Sequence, residues 1–80
     1  MKITRELVAS IAQSKGYEPV QIDGIPEGFS WKEPDLTVGE TIHKGRYVAF
    51  SPLKDEAADG GVMRAETIEE LLPIYKQYNV

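Results

Sequence analysis

Residues 60–78, Gly-Gly-Val-Met-Arg-Ala-Glu-Thr-Ile-Glu-Glu-Leu-Leu-Pro-Ile-Tyr-Lys-Gln-Tyr, decide the fold class. Val62–Glu66 has the composition of a short strand, and Thr67 opens a helix directly behind it. Thr67 followed by Glu70 is a capping box, in which the Thr hydroxyl accepts from the Glu70 amide and the Glu carboxylate reaches back toward the Thr67 amide. Ile68, Leu71, Leu72, Tyr75 and Tyr78 recur at helical spacing and predict one apolar face. Pro73 lacks a backbone donor, so a kink or break is expected there. A strand running straight into a helix implies a mixed α/β class.

Working back toward the N-terminus, Arg46-Tyr-Val-Ala-Phe-Ser51 is the best strand of the chain and Pro52 ends it. The short connection from Ser51 to Val62 suits an antiparallel pair, because a parallel crossover needs a dozen or more residues. A first helix is expected over about residues 5–15. Thr4 is its N-cap, Ile3 and Val8 form a hydrophobic staple, and Leu7, Val8, Ile11 and Ala12 form its stripe. Gly16 falls where a left-handed residue closes a helix, with Tyr17 placed to pack back on Ala12. Residues 17–23 alternate as a strand with Val20 and Ile22 on one face, and Pro19 assigns it to an edge.

Gly24, Pro26, Gly28, Pro34 and Gly39 punctuate the next stretch. It is expected as a long irregular acidic loop over about 24–39, unless a short strand lies around Phe29–Trp31. The predicted architecture is α+β: one domain over residues 1–80, with a single-layer antiparallel sheet of about three strands packed against an N-terminal and a C-terminal helix.

Eighty residues without cysteine give a core that neither disulfides nor thiolate-bound metal can supplement. The net charge of −4 is unevenly spread: +2 over residues 1–16, −5 over 17–40, +3 over 41–54 and −4 over 55–80. Three cations in 41–54 make a thin basic face, so direct nucleic-acid binding is not expected. No run is long enough for a membrane span, and no signal-peptide pattern opens the chain. Read as complete from Met1, the chain is expected in the cytoplasm.

His43 is the single histidine, and Ser10, Ser14, Ser30 and Ser51 have no nucleophile context, so no catalytic set is expected. Asp55, Asp59, Gly60, Val62 and Glu66 resemble positions 1, 5, 6, 8 and 12 of the EF-hand calcium loop, but Ala57 supplies no oxygen at position 3. The expectation is no metal and no cofactor. Val38-Gly-Glu-Thr-Ile-His-Lys-Gly-Arg-Tyr-Val-Ala-Phe50 resembles the turn of lipoyl and biotinyl carrier domains, an all-β family that both terminal helices contradict. These residues read as a glycine-cornered hairpin. Tyr47-Val48-Ala49 and Thr67-Ile68-Glu69-Glu70 resemble the strand, strand, helix outline of HicB-type antitoxins, which implies a homodimeric regulator as the alternative function.

The remaining candidate is an acidic, aromatic surface. Asp23, Glu27, Phe29, Trp31, Glu33 and Asp35, with Asp55, Glu56 and Asp59, form the expected contact set for a protein partner with a basic surface. The competing reading turns Phe29 and Trp31 inward to cap the core. The expected function is a small non-enzymatic protein-binding module, an acidic inhibitor or regulator of the kind that phages and mobile elements encode.

Overall fold

The structure is a computed structural model and describes residues 3–52 and 61–79. Helix α1 spans Arg5–Ser14 and begins as its cap residues dictate: the Thr4 hydroxyl accepts from Leu7 N at 3.2 Å. Ile3 and Val8 are both buried in one cluster, as a staple requires. At the other end Gly16, at φ 74°, lets Tyr17 N reach Ala12 O at 2.9 Å and Gly16 N reach Gln13 O at 3.1 Å, a Schellman closure.

Among the described residues six strands follow: β1 (Glu18–Pro19), β2 (Ser30–Lys32), β3 (Leu36–Val38), β4 (Thr41–His43), β5 (Tyr47–Phe50) and β6 (Val62–Ala65). Helix α2 (Ile68–Asn79) follows β6. The main sheet is antiparallel in the order β1-β2-β5-β6, and β3 and β4 form a separate two-stranded ribbon. The fold is α+β, as its sequence predicts. Pro19 lies on the edge strand, where its missing donor faces away from the ladder.

The stretch 24–39 is not one irregular loop. Ser30–Lys32 pairs with β5 in the register Ser30↔Ala49, Trp31↔Val48 and Lys32↔Tyr47. Phe50 N to Phe29 O (3.1 Å) and Glu33 N to Arg46 O (2.9 Å) extend that ladder at both ends. β3 then leaves the sheet and returns as β4 through Gly39-Glu40. Gly39 takes φ 62° and Glu40 does not share a positive φ, which suits the first position of a two-residue II′ turn. A hairpin cornered at Gly39 is present, but it spans Leu36–His43 and not 38–50: Tyr47–Phe50 pairs with β2 and β6 in the main sheet.

The two faces of the sheet carry different helices. Tyr47, Ala49, Met63 and Ala65 point one way and pack with Leu71 and Tyr75 of α2 and with Ile22 and Ile25. Trp31, Val48 and Phe50 point the other way and pack with Ile3, Val8 and Ala12. The sheet is therefore the middle of three layers. A strand covered on both faces cannot alternate, which is why Tyr47–Phe50 reads as a continuous apolar run. Val48, Ala49 and Phe50 are fully buried, and Phe50 alone contributes about 1.5–3 kcal/mol through lost apolar exposure.

Helix α2 starts on Thr67, whose hydroxyl accepts from Glu70 N at 3.2 Å. It runs without a break through Pro73. Pro73 and Glu69, whose carbonyl loses its partner there, both lie on the exposed side. Leu71 and Tyr75 form the buried stripe while Ile68, Leu72 and Ile74 pack beside it; Tyr78 is exposed. At the helix end Ser51 Oγ donates to Asn79 Oδ1 at 3.0 Å and Asn79 Nδ2 donates to Tyr75 O at 3.0 Å, fastening the last turn to the end of β5. No helix of the described residues is long and apolar enough to cross a membrane.

Candidate functional site

The described members of the expected acidic and aromatic set divide between the core, bonds within the fold and open surface. Trp31 is 6% exposed, packs in the α1-side cluster and donates from Nε1 to Gly28 O at 3.2 Å. It is a core residue and not a surface anchor, because β2 is a central strand whose side chains meet a helix layer on either face. Phe29 is half-buried and packs against both apolar clusters. Asp23 and Glu27 are exposed, in turns closed by Ile25 N to Ile22 O and Phe29 N to Pro26 O. Asp55, Glu56 and Asp59, and with them most of the calcium-loop likeness, lie outside the described residues.

Glu33 and Asp35 are engaged within the fold. Glu33 Oε1 accepts from Arg64 Nε at 2.7 Å and from the Tyr17 hydroxyl at 3.0 Å, and that hydroxyl accepts from Arg64 Nη2 at 3.3 Å. Partial burial alone would raise the Glu33 carboxyl. The hydrogen bonds from Arg64 and Tyr17, with the charges of Arg64 and Arg46, outweigh it and hold the group below its ordinary pKa. The same bonds raise Arg64. Asp35 Oδ1 accepts from Gly45 N at 2.8 Å, and this bond, aided by Lys32 and Lys44, lowers its carboxyl. These acids are structural fasteners more than a free contact face.

What they fasten is the β3–β4 ribbon. Asp35 and Gly45 close its base, and a Cβ on Gly45 would collide with the Glu33 carbonyl oxygen, so the two chain segments cross there at backbone contact. Every residue of β3 and β4 is exposed. The register Leu36↔His43, Thr37↔Ile42 and Val38↔Thr41 puts Leu36, Val38, Thr41 and His43 on one face, Thr37 and Ile42 on the other. Leu36, Val38 and Ile42 are 62%, 59% and 63% exposed. A cleft of ≈ 510 Å³ runs beside β4, lined by Ile42 to Arg46 and, opposite, by Glu66 and Thr67.

This aliphatic ribbon is absent from the expected contact set. Its signal was present as Leu-Thr-Val and Thr-Ile-His, strand-forming triplets on either side of Gly39-Glu40. His43 sits on the exposed ribbon. Among the described residues no three His, Asp or Glu side chains gather so as to hold a metal ion. No protein-family profile, curated protein or solved structure matches the chain, so the site stands on its own geometry.

Proposed function

We propose that the protein is a small non-enzymatic binding module, an inhibitor or regulator that meets a protein partner through the β3–β4 ribbon. One observation carries this reading: Leu36, Val38 and Ile42 are each about three-fifths exposed on a ribbon that stands outside the main sheet. Single exposed aliphatics are ordinary, but three on six strand residues, with both ribbon edges outside the main sheet, mark an interaction element. A two-stranded ribbon alone is marginal in water, and further strands or a covering surface would stabilise it. The exposed acids Asp23, Glu27 and Glu40, within a net charge of −4, favour a partner whose contact rim is basic.

The test is capture from the native host by immobilised wild-type chain, set beside the Leu36→Ser/Val38→Ser double variant. The variant should keep the wild-type circular dichroism and melting temperature and lose the captured partner. Undiminished capture by the folded variant would remove the ribbon from the contact surface.

A further inference from the structure

We infer that two copies of this chain pair along the outer edge of β4, antiparallel about Ile42, joining their ribbons into one four-stranded sheet. This stands apart from the target reading above: it concerns the edge of β4, whatever meets the Leu36/Val38 face.

The geometry begins at the turn. In a ribbon closed by a two-residue loop, the closing pair Val38↔Thr41 exchanges hydrogen bonds, and the next pair, Thr37↔Ile42, does not. The N–H and C=O of Ile42 therefore point away from β3, toward the outer edge. In a two-fold antiparallel pairing the Ile42 residues of the two copies exchange both bonds, and their side chains meet on one face.

The flanking residues then fall into register. Thr41 of one copy lies opposite His43 of the other, and Glu40 lies opposite Lys44, twice by symmetry. No like charges meet. The strand itself, Thr41–His43, carries no proline and no lysine, the usual guards of an exposed edge. In the main sheet no strand pairs with β4, so its outer edge has no strand partner among the described residues. Four strands also relieve the marginal stability of a lone ribbon.

Sedimentation velocity over a concentration series tests this on the full chain. The wild type should sediment as a monomer–dimer equilibrium. Glu40→Lys and Lys44→Glu should each weaken self-association roughly tenfold, since each replaces two opposite-charge pairs with like-charge ones. An equimolar mixture of the two variants should recover wild-type affinity, because one chain is then cationic at both positions and the other anionic at both. Circular dichroism confirms that each variant is folded. A wild type that stays monomeric at the highest concentration, variants that associate as tightly as wild type, or a mixture no tighter than either variant alone would each overturn the pairing.

Discussion

Arg64 Nε on β6 donates to Glu33 Oε1 just beyond β2 at 2.7 Å, across the width of β5, so two strands that never pair are tied to each other. Tyr17, the residue that closes α1, completes the knot through its hydroxyl. Three separate elements thus converge on one carboxylate.

That carboxylate gives the fold an acid-sensitive joint. The Glu33 pKa is lowered in the folded state, so its contribution is fully present above the unfolded carboxylate range and is lost as pH falls through the folded pKa. Glu33→Gln should cost roughly 1 kcal/mol at neutral pH, a modest figure because both partners are partly exposed and screened by solvent. Urea midpoints of wild type and Glu33→Gln should converge as pH falls from 7 toward 3. Combined with Arg64→Met, the double variant should lose less than the sum of the singles. Strict additivity would mean the contact adds no stability.

Trp31→Ala should unfold the domain or leave it barely folded. Truncating a buried aromatic costs about 3–5 kcal/mol, against a total of about 4–12 kcal/mol expected for 80 residues. Trp31→Phe should retain the fold at a smaller cost, from lost volume and the orphaned Gly28 carbonyl. Indole fluorescence of the wild type should be blue-shifted and poorly quenched by iodide; easily quenched emission would return Trp31 to the surface.

Two glycines should answer differently to alanine. Gly16→Ala meets nothing within 4 Å and suffers only from its φ of 74°, a cost of about 1 kcal/mol. Gly45→Ala drives a methyl into the Glu33 carbonyl, so the ribbon base must separate. Its loss should be severalfold larger in thermal unfolding. Equal losses would argue that the crossing at Gly45 is looser than described.

Pro73→Ala should stabilise the protein by roughly 1–2 kcal/mol, the restored Glu69 carbonyl bond being partly offset by a more flexible unfolded chain. Chemical denaturation measures it, and a destabilised variant would show that the proline ring packs usefully where it sits.

Local chemistry was legible and distant pairing was not. Thr4, Gly16, Thr67 and the apolar run Tyr47–Phe50 announce themselves within a few residues, and both helices and the β5–β6 meander follow from them. β2 was legible only as the alternative of a short strand around Phe29–Trp31, because three residues, one of them a buried serine and one a lysine, show no period. Its partner lies some seventeen residues onward, at Val48. The engagement of Glu33 was illegible for a related reason: nothing near it in sequence reveals that Arg64, 31 residues away, will hold it. The ribbon was hidden because the punctuation of 24–39 resembles a loop until Leu36–His43 is read as two triplets around one turn.

The three-layer arrangement also sets an order of assembly. Everything on the α2 side except Ile22, Ile25 and their neighbours comes from residues 47–79, a ββα unit made of near-neighbour contacts. The α1 side needs β2 to reach β5 and α1 to dock behind it, contacts that close longer loops and so form more slowly. Nucleation should therefore belong to the C-terminal half, with Ala49 and Leu71 giving high φ-values and Val8 and Ala12 low ones. Phe29, in contact with both clusters, would be the residue through which the second half of the molecule learns that the first has formed.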